Sequence, residues 1–295
     1  MTTNKARAAL TLAILALLAS ACGSEPSGLS AGGPGEGSTP AALPEPSDAP
    51  SASPQSGPTT SLEVWLTKGE TLYLVHRSVP ETAAVGRAAL EALLQGPTTE
   101  EAALEISSAL PDDVELRDLS ISDGVATVDL SGSYERGGGS LALRMRLAQV
   151  VFTLTQFPTV TGVSFRIDGE PITTFSGEGI DVSSPQRRKD YDDLLPPIVV
   201  ESPAVGERVS SPVEISGTAN VFEATVSIRI LDADGNVLVE TFTTATCGTG
   251  CRGTYEEAVP FSVDFEQQGR IIVYESSAED GSVLFPVTIP VTLVP

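Results

Sequence analysis

Three cysteines and one histidine are the residues of this chain with the most versatile side-chain chemistry. Cys247 and Cys251 lie in a Cys-Gly-Thr-Gly-Cys segment between two predicted strands, and its glycines allow the backbone to bring both sulfurs into bonding range. In an exported protein the expected state of this pair is a structural disulfide. A redox-active pair is the alternative, although the usual two-residue spacing is missing. One histidine and three cysteines cannot assemble a His/Cys zinc site.

The single histidine and two acidic doublets are the candidates for acid–base chemistry. His76 lies in a predicted strand over residues 71–79, and the sequence has no G-x-S-x-G elbow or comparable serine motif for it to activate. We therefore interpret it as a strand residue that faces solvent or packs on a sheet. Asp112-Asp113 and Asp192-Asp193 could act as paired carboxylates, as in glycoside hydrolysis. Their position beside proline-containing loops favours solvated charge instead.

Two further motifs match ligand-binding loops only in part. Asp232, Asp234 and Asn236 match the start of a calcium loop, but the bidentate glutamate at its end is missing, so an Asp-Gly hairpin turn is the preferred interpretation. Gly137-Gly138-Gly139 lacks the lysine and the spacing of a phosphate-binding loop and is interpreted as a flexible loop. The sequence thus predicts no catalytic residue, no metal site and no cofactor.

The N-terminal residues predict export and lipidation. Lys5 and Arg7 precede an apolar run over residues 8–19, which is too short to span a bilayer permanently, and small residues and Cys22 follow it. This arrangement resembles a bacterial lipobox, in which the cysteine becomes the first mature residue and carries the lipid. Ala19 stands where leucine is usual. The prediction is a lipoprotein signal peptide over residues 1–21 and a lipid on Cys22, with ordinary export as the alternative.

Residues 22–60 are predicted to form a disordered stalk. The segment consists mainly of Gly, Ser, Pro, Ala and Thr, with Leu29 and Leu43 as its only large aliphatic residues. These are too few to offset the entropy cost of ordering the chain. A coil of this length spans on the order of 35 Å, and prolines extend it further. It would lift folded domains off the membrane; a tail without a mechanical role is the alternative.

Charge limits the partners of the chain. The net charge is −22, and loss of Lys5 and Arg7 with the signal peptide leaves 15 basic and 39 acidic residues, a net charge of −24. Such a field repels nucleic acid and anionic lipid headgroups, so neither is expected as a partner. The predicted membrane attachment is through the lipid on Cys22 alone.

Residues 61–175 predict alternating helices and strands. Apolar residues recur at helical spacing over residues 85–93, and Gly96-Pro97 ends this predicted helix. A second helix begins near Ser140. Its apolar residues are Leu141, Met145, Ala148 and Phe152 on one face, with Leu147, Val151 and Leu154 beside them. Two predicted strands meet at the hairpin turn Ser122-Asp123-Gly124. The order β-β-α-β-β-α-β predicts an α+β domain with two helices on one face of a small sheet.

The pattern changes after this domain. Residues 176–197 carry mixed charge followed by Pro196-Pro197 and are predicted to be an interdomain linker. Over residues 198–295 about seven short strands with intervening turns predict an immunoglobulin-like β-sandwich. The expected strands are residues 198–201, 213–217, 225–231, 237–243, 255–263, 270–275 and 287–293.

Both halves resemble known domains. The first is similar to the GerMN domain, named for sporulation and spore germination proteins, and the motifs that carry the similarity are Leu94-Gln95-Gly96-Pro97, residues 125–130, Thr153-Leu154-Thr155-Gln156 and residues 163–169. The second resembles the immunoglobulin-like domain that often follows GerMN in bacterial lipoproteins, at Ser202-Pro203, residues 217–223 and residues 274–281. The germination protein carries two GerMN copies, whereas here the sandwich takes the second place.

The resemblance implies an oligomerising or docking role, because GerMN domains resemble ring-building modules of envelope assemblies. We therefore expect a lipid-anchored, extracytoplasmic and non-enzymatic assembly module, with a link to sporulation or germination. Its partner would be an envelope protein, a cell-wall component or a second copy of the chain. A peptidoglycan-active hydrolase is the alternative. A solute-binding lipoprotein is less favoured, because neither half resembles a two-lobed binding fold.

Overall fold

The computed structural model describes residues 58–295, which fall within one compact unit. Cys22, the predicted signal peptide and all but the last three residues of the predicted stalk lie outside the described residues. Within residues 58–295, no helix combines the length and the hydropathy that a membrane crossing requires.

The first domain has the expected α+β architecture. Strands β1 and β2 form a hairpin, the helices α1 and α3 follow at the two places where the sequence shows helical spacing, and a short helix α2 lies between α1 and the next strand. The elements are β1 (Thr59–Lys68), β2 (Thr71–Pro80), α1 (Val85–Leu94), α2 (Thr99–Ala103), β3 (Ile106–Ser107), β4 (Leu116–Ser122), β5 (Val125–Leu130), α3 (Ser140–Leu154), β6 (Gly162–Ile167), β7 (Glu170–Pro171), β8 (Thr174–Phe175) and β9 (Ile180–Asp181).

The strands of this domain are divided between sheets. One sheet has the order β2-β1-β3 and another the order β4-β5-β6-β7, while β8 and β9 form a small hairpin. Strands β5 and β6 run parallel, and the other pairs are antiparallel. The turn between β4 and β5 holds Asp123 at φ 52° and Gly124 at φ 79°, the left-handed pair that a tight hairpin turn requires. Helix α3 contacts β1 and β2 of one sheet and β6 of the other, so it packs against both.

Helix α3 is buried around most of its circumference. Every residue of the helix from Leu143 to Leu154 is buried except Arg144. Leu141, which was expected on the apolar face, is 40% exposed. The buried polar residues of the helix are paired. Arg146 donates to the carbonyl oxygens of Ala109 (2.8 Å) and Tyr134 (3.0 Å). More of the helix is buried than the sequence pattern indicates, because the helix packs against two sheets instead of one.

Residues 176–197 connect the two domains, but they are folded onto the first one. Gln186 forms a β-bridge with Val163 of β6, and a 3-10 helix covers Arg188–Leu194. Three side chains of this region, Val182, Tyr191 and Leu194, belong to the core of the first domain. The sequence pattern does not indicate this packing, because the 3-10 helix begins in the charged run Arg187-Arg188-Lys189 and buries only Tyr191 and Leu194.

The second domain is the expected β-sandwich. Its strands are β10 (Ile198–Ser202), β11 (Arg208–Val209), β12 (Val213–Ala219), β13 (Thr225–Leu231), β14 (Val237–Thr244), β15 (Gly253–Val259), β16 (Gln267–Ser276) and β17 (Val283–Leu293). All seven expected strands are present, and the two-residue β11 is added. The sheet β10-β12-β15 faces the sheet β11-β17-β16-β13-β14, and their inner side chains form a second apolar core.

Strand β10 contributes to both cores. Ile198 and Val200 belong to the core of the sandwich, whereas Val199 belongs to the core of the first domain. This division follows from the pleat, since successive side chains of a strand point to opposite faces.

Candidate interaction surfaces

His76 lies half-buried in β2, directly opposite Glu63 of β1. Burial lowers the pKa of its imidazole, and the charges of Glu63 and Glu207 oppose that effect. Because Glu207 lies in the second domain, His76 is near the place where the two domains meet. This position fits the interpretation of His76 as a residue that packs on a sheet.

One carboxylate of each acidic doublet is paired with an arginine of its own. Asp113 accepts a hydrogen bond from the Ser133 hydroxyl at 3.0 Å and pairs with Arg136. Asp193 accepts two hydrogen bonds from Arg144, at 2.8 Å and 2.7 Å. Hydrogen bonds from these partners lower the pKa of both carboxyl groups. A general acid requires the opposite shift, so neither carboxyl is suited to protonate a leaving group.

The two loops that match ligand motifs in part have structural roles. Asp232 accepts hydrogen bonds from the main-chain N–H of Asn236 (2.7 Å) and from its side-chain amide (2.9 Å), which closes the β13–β14 turn. Gly139 is the residue that precedes α3, and Gly138 packs beside the guanidinium of Arg146. Among residues 58–295, no group of three or more His, Cys, Asp or Glu side chains could hold a metal ion.

Cys247 and Cys251 are joined by a disulfide, with their Cα atoms 5.7 Å apart. The enclosed loop is bonded to the turn that follows β12. Thr249 N–H donates to Val221 O at 2.9 Å, and Gly250 N–H donates to Asn220 Oδ1 at 3.0 Å. A side chain at Gly248 would collide with the main chain of Ala224, so this position requires glycine. The bridge therefore shapes one end of the sandwich.

An aromatic side chain is exposed at that end of the sandwich. Phe222, in the turn bonded to the disulfide loop, is 49% exposed. Thr249 Oγ1 accepts a hydrogen bond from the neighbouring Glu223 N–H at 2.9 Å, which ties the turn to the loop. The disulfide and these bonds thus hold an exposed phenyl ring in a fixed place, a common feature of binding surfaces.

The four-stranded sheet of the first domain has one open, polar face. Ala126, Val128 and Leu130 of β5 point to the core, so the alternate residues of the strand point away from it. The register places Ser120 of β4 opposite Thr127 of β5, and Thr127 opposite Ser164 of β6.

A charged row lies beside this row of hydroxyl groups. The register places Asp118 opposite Asp129, and Asp129 opposite Arg166. Asp129 is buried and accepts a hydrogen bond from the Gly169 N–H at 3.0 Å, so the exposed charges of the face are those of Asp118 and Arg166. Sequence reasoning missed this face, although Thr127 and Asp129 alternate with the apolar Ala126, Val128 and Leu130.

Two domain families match the chain. The family described as Germane, sporulation and spore germination, matches residues 65–173. The family described as Gmad2, immunoglobulin-like domain of bacterial spore germination, matches residues 197–282. No curated protein matches the chain.

Solved structures with similarity to the chain include two of the sporulation protein GerM from Bacillus subtilis. Its first GerMN domain is 27% identical over 45% of this chain and 100% of that chain, with a TM-score of 0.38. The tandem GerMN domains are 18% identical over 70% of this chain and 63% of that chain, with a TM-score of 0.39. The family matches follow the order of the two cores. The first domain is therefore a Germane domain, of the family described as sporulation and spore germination, and the second is a Gmad2 domain, of the family described as immunoglobulin-like domain of bacterial spore germination.

Proposed function

We propose that the protein is a non-enzymatic assembly module of the bacterial cell envelope, anchored on the extracytoplasmic side of the membrane by a lipid on Cys22. The descriptions of both domain families name spore germination, and that of the first also names sporulation, which supports a role related to these processes. The apolar run and small residues before Cys22 support the anchor. The partner is an envelope protein or a second copy of the chain.

The observation that carries the proposal is the open face of the β4-β5-β6-β7 sheet. Its hydroxyl row of Ser120, Thr127 and Ser164 has no large side chain, so another protein surface can approach closely. The exposed side chains of Asp118 and Arg166 offer both signs of charge, which gives orientation to such a contact. A sheet is a better support for an interface than a loop, because the hydrogen bonds between its strands hold the backbone, and with it the side chains, in place.

The test of this surface is a large charged substitution. Ser120→Arg places a guanidinium on the open face at an exposed position, and we expect it to abolish capture of the partner from cross-linked cells. Thr288→Arg, at an exposed hydroxyl residue on a strand of the sandwich, is the matched control and should leave capture unchanged. Equal capture by both variants would show that the open face is not the interface.

The anchor has its own test. In a Cys22→Ser variant the protein should leave the detergent-extracted membrane fraction, and intact-mass analysis of the natural protein should find the lipid on Cys22. Variant protein that stays in the membrane fraction with its signal uncleaved at residue 22 would indicate another mode of attachment.

The hydrolase alternative is tested by turnover. Peptidoglycan incubated with the purified protein should stay intact, and Asp112→Asn and Asp192→Asn should leave cellular function unchanged. A catalytic carboxylate would behave differently, since its loss reduces the rate by orders of magnitude. Cleavage of peptidoglycan that one of these substitutions abolishes, in a protein that remains folded, would make the protein an enzyme.

A further inference from the structure

An apolar groove lies between the two domains. It has a volume of about 290 Å³ and is lined by strands β2, β10 and β17. Its apolar walls include Leu72, Leu74, Ile198, Val200, Val287 and Ile289. A volume near 300 Å³ is at the small end of ligand sites, which suits one linear chain better than a fused-ring ligand.

A bulge in β17 turns an aromatic side chain toward this groove. The register pairs Val273 with Val287 and Glu275 with Leu284, so Phe285 and Pro286 together oppose the single residue Tyr274. Phe285 has φ 49°, a left-handed conformation that bulky residues rarely adopt. Its ring lines the groove and is nevertheless 52% exposed. The fold thus maintains a strained backbone that leaves an aromatic wall without cover, which is typical of ligand sites.

Lys68 gives the groove a cation at its exposed rim. It lines the groove, and its Nζ lies 5.7 Å from the centre of the Tyr73 ring, close enough for a cation–π contact. None of the ion pairs formed within residues 58–295 involves Lys68. The chain has a net charge of −22. Because none of the described acidic residues pairs with it, the Lys68 ammonium beside the apolar groove can bind one anionic group.

We propose that this groove binds a linear aliphatic carboxylate, with the alkyl chain between β2, β10 and β17 and the carboxylate at Lys68. The apolar walls favour the chain, because each buried methylene improves affinity by about fourfold. The single ammonium matches a head group with a single negative charge. A more highly charged head group would gain less, because the strongly acidic protein repels it.

The experiment uses dodecanoate that carries a diazirine on its alkyl chain, with the full-length protein reconstituted in phosphatidylcholine nanodiscs. After irradiation, mass spectrometry of the peptides should place the label on residues 71–74, 196–200 and 285–289. Excess dodecanoate should suppress this labelling, whereas dodecyltrimethylammonium, of equal chain length and opposite charge, should not. Label confined to other segments, or equal competition by the cationic amphiphile, would overturn the proposal.

Substitutions make the test specific. Lys68→Gln should weaken the apparent affinity for the probe about fivefold, as expected for one ion pair near the surface. Lys189→Gln, at the other lysine of the described residues, is the matched control and should change nothing. Val287→Trp should fill the groove and remove the labelling, with circular dichroism to show that the variant is folded. Lys68 is exposed, so its variant is decisive even if Val287→Trp does not fold: unchanged affinity of Lys68→Gln would overturn the proposal.

Discussion

Gln156 binds the main chain of Glu63 as a residue of a neighbouring strand would. Its Oε1 accepts the Glu63 N–H at 2.9 Å, and its Nε2 donates to the Glu63 carbonyl at 2.8 Å. One helical turn earlier, Thr153 Oγ1 accepts the Trp65 N–H at 3.1 Å, and one turn before that, Gln149 Nε2 donates to Trp65 O at 2.9 Å. Strand β3 reaches only Thr67 and Lys68 of β1, so these three side chains complete the edge that β3 leaves open.

Loss of this side-chain ladder should destabilise the first domain. Gln149→Leu keeps the approximate volume but leaves Trp65 O and the Ala109 N–H, which donates to Gln149 Oε1, without partners. We expect a loss of about 2 to 4 kcal/mol in the free energy of unfolding, from two buried polar groups left unpaired. Urea unfolding followed by fluorescence measures it, because Trp65 is the only tryptophan and lies in this core. Gln268→Leu, at an exposed glutamine of the sandwich, should leave the transition within about 0.5 kcal/mol of its original free energy.

A buried ion pair should contribute far more than an exposed one. Arg77 binds Glu101 through two hydrogen bonds of 2.6 Å, and their side chains are 16% and 8% exposed. Arg77→Met leaves the carboxylate buried without its partner, so we expect a loss of about 3 to 5 kcal/mol in unfolding free energy. Arg208→Met breaks the exposed pair with Glu266 and should cost less than about 1 kcal/mol. Calorimetric unfolding of both variants tests the contrast, and equal losses would contradict it.

Much of the fold could be predicted from the sequence, because local patterns coincide with the final elements. The helix at α1, the turn at Asp123-Gly124 and the strands of the sandwich each have a pattern within a short stretch of chain. The surroundings of α3 could not be predicted, since the partners of Gln149 lie at Trp65 and Ala109, far away in sequence. The disulfide partners were close enough in sequence to be paired. The alternation of Thr127 and Asp129 with apolar residues is a local signal of the open sheet face, but its register with the neighbouring strands is not local. The interdomain groove depends on contact between the domains, which no local pattern reports.

Acidification should weaken the folded state through His76. Burial lowers the pKa of His76, so its folded value lies below the unfolded value of about 6.5. The unfolded state therefore takes up the proton first, and the stability present above pH 6.5 falls as the pH drops through 6.5 toward the folded value. His76→Gln should flatten this dependence between pH 7.5 and pH 5.5, measured by urea unfolding at both values.

The interpretation of that measurement is direct because His76 is the only histidine. A loss of stability with falling pH that is the same in His76→Gln and in the natural protein would assign the dependence to other groups. Glu201 would act in the opposite direction, because burial and the charge of Glu63 raise its pKa, so its protonation favours the folded state.

The disulfide should stabilise the sandwich locally. Peptide mapping without reductant should recover Cys247 and Cys251 in one linked species, and alkylation before reduction should find no free thiol at either position. Closing so short a loop contributes about 2 kcal/mol in the chain-entropy model, so Cys247→Ser should lower the unfolding free energy of the sandwich by about that amount. The Trp65 fluorescence transition should not move, because Trp65 lies in the other core. An equal shift of both transitions would mean that the cores unfold together.

The division of β10 between two cores fixes the orientation of the domains through the pleat of a single strand. Ile198 and Val200 point into the sandwich, and Val199 points into the first domain. Insertion of one residue before this strand would rotate the strand's side chains by half a turn relative to the first domain, as any slip of one residue exchanges the two faces. Insertion of two residues would restore the faces and move the sandwich by about 7 Å along the strand. The connection between the domains should therefore tolerate the insertion of an even number of residues better than an odd number. A flexible connection would not distinguish the two.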